Sequence, residues 1–152
     1  MKNANSEIIN IMERERRFEI MAAGPAQSLV AMTERLLEYG IDLKISRQPH
    51  PAALMLRARD TAKGELFNFG EALVTEAEVK VAGHTGCMLI LGSDRMHALA
   101  GAICDAALES GHPLSPDILE TLSVLSQIQQ EQVAAEWAKV APTLVNFDEM
   151  EG

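Results

Sequence analysis

The chain has 152 residues, 47% of them hydrophobic, which is enough for one domain with its own core and too apolar for intrinsic disorder. Its net charge is -9, from 22 acidic against 13 basic residues, and no Lys/Arg run lacks compensating glutamate, so most of the surface repels nucleic acid or an unaided phosphate-rich ligand. No apolar h-region opens the sequence and no window nears the ~18 uninterrupted apolar residues of a membrane span, so a cytoplasmic location is expected.

In chain order, residues 6–23 predict a helix with Ile8, Ile11, Met12, Phe18 and Ala22 on one side. The run Glu13-Arg14-Glu15-Arg16-Arg17 reads as its solvated face, with Glu13 and Arg17 as an i, i+4 pair. Gly24-Pro25 stops this helix and starts a second, which carries Leu29, Met32, Thr33 and Leu36 as an apolar seam and ends at Tyr39-Gly40. From Ile41 the period changes to two. Residues 41–46 and 54–59 alternate as strands on either side of a Pro49-His50-Pro51 break, and residues 60–64 form a turn. Residues 65–81 exceed one ordinary strand, and Gly70 marks a bulge or bend that divides them.

Residues 87–91 are apolar without alternation, which predicts a central strand covered on both faces. Gly92 then turns the backbone, and Ser93 or Asp94 caps a helix rich in alanine that ends near Gly111. Its small residues predict close packing on the sheet. His97, Gly101, Asp105 and Glu109 fall in one row of that helix, read as a polar surface that is either solvated or in contact with a partner. Ser115-Pro116-Asp117 opens the last helix, whose apolar stripe of Ile118, Leu122 and Leu125 gives way to Gln129, Gln132 and Glu136 mixed with Ile128, Val133 and Trp137. Such a helix leaves its own core halfway. Pro142 ends it, and residues 142–152, with Leu144, Val145 and Phe147, form a tail more apolar than a free terminus needs. The class is α+β: an N-terminal helical hairpin, an antiparallel meander of three or four strands, and two C-terminal helices, as a single domain over residues 1–152.

Chemistry-bearing residues are sparse. Cys87 and Cys104 lack CxxC spacing and read as reduced core residues, with a disulfide between them as the lesser alternative. His50, His84, His97 and His112 form no metal-ligand pattern, so no metal site is expected. Ser93 and His97 are nucleophile and base types without a positioned third partner, and Asp94 puts a negative charge where the helix start would bind an anion. Arg57 and Arg59 share one strand face, either as a clasp for an anion or as surface alternation. Arg57, Arg59, Ser93, Asp94, Arg95 and His97 are therefore the candidates for anion or partner contact.

The run Phe67-Asn68-Phe69-Gly70-Glu71-Ala72-Leu73-Val74-Thr75, followed by Leu91-Gly92-Ser93-Asp94-Arg95-Met96-His97-Ala98, resembles the PhnG family of carbon-phosphorus lyase subunits, with its F-N-x-G-E-x-x-x-T segment and G-R-D-K-x-H-A turn. Leu56-Arg57-Ala58-Arg59-Asp60, Arg17-Phe18-Glu19-Ile20-Met21-Ala22 and Val145-Asn146-Phe147 extend the resemblance over nearly the whole chain. Two departures stand out: Thr75-Glu76-Ala77 where the family tends to have T-R-C, and Ser93 where an arginine is usual. An Arg and a Cys so replaced would serve packing or subunit contact.

The resemblance implies a core assembly of PhnG, PhnH, PhnI and PhnJ with two copies of each. Together with PhnL, the PhnG, PhnH and PhnI subunits would support displacement of adenine from MgATP by a phosphonate, giving a ribose 1-phosphonate 5-triphosphate. PhnI would carry the displacement, and PhnJ the radical cleavage with S-adenosylmethionine and an iron-sulfur cluster. This chain, without cysteines for a cluster, would bind no cofactor and act as a non-catalytic but required scaffold for PhnI. The helix after Gly92 and an arm carrying Gln129, Gln132, Glu136, Trp137, Leu144, Val145 and Phe147 are the expected contacts. Direct contribution of Arg57, Arg59, Arg95 and His97 to a phosphonate or nucleotide site is the rival reading, and a stand-alone ligand-binding or sensor domain the third.

Overall fold

A computed structural model describes residues 12–144. The elements are α1 (Arg14–Ala23), α2 (Ala26–Tyr39), β1 (Leu43–Arg59), β2 (Leu66–Val81), β3 (His84–Leu91), α3 (Arg95–Glu109) and α4 (Ser115–Val140), followed by a 3₁₀ turn, Ala141–Thr143. The strands form one antiparallel sheet in the order β1-β2-β3. Two helices, a three-stranded meander and two helices make this the α+β arrangement that the periodicities predict.

The core forms around α3, which lies across one face of β2 and β3 with α1, α2 and the start of α4 packed against it. Ala98, Ala100, Ala102, Ile103, Cys104, Ala106 and Ala107 are all buried, so a helix enclosed on this many sides accepts mainly small residues. Across from it, Thr75, Ala77, Val79 and Val81 of β2 and Met88 and Ile90 of β3 form the floor. The closest approach is at Gly86, where an added Cβ would lie 2.3 Å from both the Ala102 oxygen and the Ala106 nitrogen. Backbone therefore meets backbone at that point. On the far side Ile20, Met21, Leu29, Met32 and Leu36 cover α3, and Ile118, Leu122 and Leu125 complete the core from α4.

Several sequence expectations are corrected. β3 is an edge strand and β2 is central. Gly86, Met88 and Ile90 face the core while Cys87 and Leu89 are only half-buried, so the apolar run hid an alternation. The Pro49-His50-Pro51 stretch does not break β1, which runs through it with register shifts between Ile45 and Arg47 and between Arg47 and His50. An edge strand tolerates proline because one row of its N-H groups has no ladder partner. Gly70 bends β2 without dividing it: Leu56 pairs with Gly70 and Arg57 with Asn68, leaving Phe69 as the bulged residue. Within the described residues α1 starts only at Arg14, with Glu13 extended before it; the earlier part of the expected helix lies outside them.

The β1–β2 hairpin is longer than the core it belongs to. β3 pairs with β2 only from Val74 to Val81, whereas β1 follows β2 out to the Arg59–Leu66 pair. The excess, residues 53–59 with 66–73, is a two-stranded ribbon projecting beyond the third strand. α4 likewise outruns the core, since residues 131–140 are all exposed.

Replacing Gly86 by alanine is expected to destabilise the fold by about 3 kcal/mol or more, because the obstruction is backbone that cannot rotate away. Gly70→Ala, where the added carbon meets nothing within 4 Å, should stay within about 1 kcal/mol of the parent. Equal denaturation midpoints for the two variants would contradict the close approach of α3 to β3.

Candidate functional site

At the start of α3, the Asp94 side chain accepts a hydrogen bond from the His97 backbone N-H at 2.9 Å, the cap expected there. Thr75 Oγ1 donates to the Gly92 oxygen at 2.7 Å, and Gly92 N-H donates to the Leu73 oxygen, so the turn is tied to β2. Ser93, Asp94 and Arg95 are exposed, but His97 is not. Its Nε2 lies 2.7 Å from the Met21 carbonyl oxygen, so that nitrogen carries the proton and donates to the last turn of α1.

The polar row of α3 is thus not a solvated surface, nor is it open to a partner. Asp105 is fully buried; its carboxylate accepts two hydrogen bonds from Arg14, at 3.2 and 2.8 Å, and one from the Cys87 N-H at 3.1 Å. The hydrogen bond to Asp105 raises the pKa of Arg14 further against a smaller loss from burial. Glu109 pairs with Arg17 and approaches Arg14 at 3.6 Å. The charged run in α1 therefore faces inward in part: Arg14 and Arg17 reach across to α3, and the expected Glu13–Arg17 pair does not form, because Glu13 precedes the helix. Tertiary partners within a low-dielectric seam outcompete an exposed i, i+4 pair worth a few tenths of a kcal/mol.

Cys87 and Cys104 are free thiols. Burial pushes Cys104 up to about 12, reduced somewhat by the Thr33 hydroxyl and reinforced by Asp105. Cys87 is also raised, mainly by burial and then by Asp105. Neither has the depressed pKa of a nucleophile. Among the described residues no group of three or more His, Cys, Asp or Glu could hold a metal ion.

Besides Leu91 and Met96, on either side of the exposed turn before α3, much of the exposed apolar surface lies on the projecting elements. In α4 the Gln129 amide donates to the Ile20 carbonyl at 3.0 Å, closing the end of α1, so Gln129 serves the fold. Beyond it Gln132, Glu136 and Trp137 are exposed, with Val133 66% and Trp137 60% accessible. A shallow groove of about 410 Å³ runs along this helix, lined by Arg16, Gln129, Gln130, Val133, Ala134 and Trp137. Leu144 is exposed, while Val145 and Phe147 lie outside the described residues. On the sheet, Arg47 and His50 share the Glu76 carboxylate. Arg57 and Arg59 stand on one face of the ribbon, as alternation predicts, far along it from His97; Arg59 donates to the Gly64 oxygen at 2.6 Å.

The described structure thus holds a closed polar core and two exposed projections. The family described as phosphonate metabolism protein PhnG matches residues 12–152. The chain belongs to the PhnG family. A curated relative from Rhizobium meliloti (strain 1021), alpha-D-ribose 1-methylphosphonate 5-triphosphate synthase subunit PhnG, is 32% identical over 103 residues, covering 66% of this chain and 65% of the relative. The chain thus spans just under two thirds of that relative's length. The two departures from the family pattern fall at informative places. Ala77 is in the core beneath α3, where a cysteine would be another small buried residue, and Ser93 is exposed in the turn.

Sequence reasoning missed Arg14 and Arg17 as the partners of the polar row, and the ribbon residues Leu54 and Phe67 as exposed apolar surface. The available signal for the row was that a solvated face has no need of a histidine and two acids opposite a run of arginines. For the ribbon it was that apolar residues occupy both alternating sets.

Asp105→Ala should cost about 3 kcal/mol in chemical denaturation, since Arg14 loses its buried partner and the Cys87 N-H its acceptor. A loss under about 1 kcal/mol would mean that the pair carries no net stability. For Cys104 the folded protein keeps the proton up to about 12 while the unfolded chain releases it near the ordinary 9.0. Stability is therefore intact below pH ~9 and falls above it, by up to about 1.4 kcal/mol per pH unit from this group. The Cys104→Ala variant should show a shallower alkaline fall than the parent; identical slopes would refute the assignment.

Proposed function

We propose that this chain is a non-catalytic but required subunit of the synthase that transfers the ribose triphosphate of MgATP to a phosphonate with release of adenine. It acts as a scaffold for the PhnI subunit. Family membership and the name of the Rhizobium relative support the assignment to that assembly. The observation that carries the scaffold role is the outer half of α4. Val133, Trp137 and Val140 are 66, 60 and 53% exposed on a helix that projects past its own core, and a free helix end has no physical reason to keep a tryptophan and two valines in water. A partner that buries them supplies the reason.

The polar groups of the core support the same reading from the other side. His97, Asp105 and Glu109 are engaged with α1, and both thiols are held protonated, so the groups with catalytic chemistry already have structural work. In the proposed assembly, with two copies each of PhnG, PhnH, PhnI and PhnJ and with PhnL in support, PhnI carries the displacement. PhnJ carries the later radical cleavage with S-adenosylmethionine and its iron-sulfur cluster. This chain brings no cofactor of its own.

Co-expression of the tagged chain with PhnH, PhnI and PhnJ from the same source tests this. The expected result is a stable complex in which adenine release from MgATP with methylphosphonate depends on the tagged chain. Val133→Glu combined with Trp137→Ala should cut PhnI retention at least tenfold, with adenine release falling in proportion, while the free variant unfolds at the parent temperature. Full PhnI retention by the variant would refute the α4 contact. A chain that elutes alone while the others work without it would refute the subunit role.

A further inference from the structure

The ribbon of residues 53–59 and 66–73 has two unlike faces, and the register assigns every paired side chain to one of them, leaving out the bulged Phe69. Directly paired residues share a face. On the face away from α3 stand Leu54 opposite Ala72, Leu56 opposite Gly70 and Ala58 opposite Phe67, with no charged side chain among them. Leu54 is 45% and Phe67 49% exposed, and no other described element covers them. On the face shared with Thr75 and the core stand Ala53 opposite Leu73, Met55 opposite Glu71, Arg57 opposite Asn68 and Arg59 opposite Leu66, so this face mixes charge with the exposed apolar side chains Leu73, Met55 and Leu66.

The arginines on that second face differ from most others in this chain. Arg14, Arg16, Arg17, Arg35 and Arg47 each meet a carboxylate. Among the described residues Arg57, Arg59 and the exposed Arg95 meet none within ion-pair distance, although acidic residues outnumber basic ones 22 to 13, and only Arg57 and Arg59 stand together on one face. Asp60 at the tip is no substitute, because its carboxylate accepts from the Ala62 and Lys63 N-H groups. A two-stranded ribbon is marginally stable in water without a third strand or a packed face. This one projects beyond β3 with an uncovered apolar face and a pair of arginines that meet no carboxylate among the described residues.

We propose that this ribbon is a docking arm for a different protein chain, one that offers an apolar groove to Leu54, Leu56 and Phe67 and carboxylates to Arg57 and Arg59. The inference rests on the subunit reading above and adds a second attachment to that of the outer half of α4. Charge complementarity decides the occupant. A second copy packing apolar face on apolar face would cover Leu54 and Phe67 but leave the arginines unanswered, and two chains of net charge -9 repel each other on approach. Only a partner bringing both apolar surface and carboxylates satisfies both faces of the arm.

The test uses the full chain co-expressed with the other subunits of the assembly. Leu54→Glu with Phe67→Glu, and separately Arg57→Glu with Arg59→Glu, should each lower partner retention at least tenfold, with the free variants unfolding cooperatively like the parent. A second readout needs no variant: trypsin should cut after Arg57, Arg59 and Lys63 quickly in the free chain and at least tenfold more slowly in the complex. If the complex forms, the α4 variant disrupts it, and yet the arm variants are retained in full with the arm cut as fast as in the free chain, the arm proposal is overturned and the subunit reading stands. If the parent chain forms no complex, both fall. If the free chain is a dimer by sedimentation and Leu54→Glu with Phe67→Glu dissociates it, the occupant is a second copy and the proposal is overturned.

Discussion

The contact on which the rest of the structure depends is the approach of α3 to β3 at Gly86, where helix backbone touches strand backbone with no side chain between them. At that separation the helix can hold little but alanine and glycine on its sheet side, and its row of larger polar residues is left for the N-terminal helices to cover. Gly101 repeats the constraint, since an added carbon would lie 2.7 Å from Met88. The same proximity puts the Asp105 carboxylate against the Cys87 N-H, so one buried acid joins β3, α3 and, through Arg14, α1. Close packing and the polar network are thus one device, and neither would exist without the other.

That device consumes the residues that would otherwise suggest chemistry. His97 donates to a carbonyl, Asp105 and Glu109 are paired with arginines, and burial holds both thiols protonated. The accessible surface of interest therefore lies on the two elements that outgrow the core, the outer half of α4 and the β1–β2 ribbon. Both are regular structure, and both show water apolar side chains that a monomer gains nothing by displaying. This is the pattern expected of a part in a larger assembly.

Two elements that outgrow one small core suit a scaffold. Each contact alone can be modest in area, but once one element is bound the other meets its partner at a high effective concentration. Membership in the PhnG family gives these surfaces a context, and the departures at Ala77 and Ser93 do not disturb either projection.

Local pattern sufficed for the α+β class, the helix ends at Gly24-Pro25 and Gly40, a cap at Ser93 or Asp94, an irregularity near Gly70 and the halfway change in α4, because each depends on residues within a few positions of one another. The fate of the polar row of α3 did not: a histidine and two acids in line look alike whether water or an arginine from 91 residues away faces them. The apolar run at residues 87–91 likewise cannot say whether its strand is central or at an edge, since that depends on whether a further strand pairs along its other side. The sequence by itself determined the order of helices and strands, several of the helix ends, and that α4 outruns its core. Tertiary structure alone decided that Arg14 and Arg17 turn inward and that β1 and β2 extend past β3 as an arm, because burial and charge pairing are set by neighbours distant in the chain.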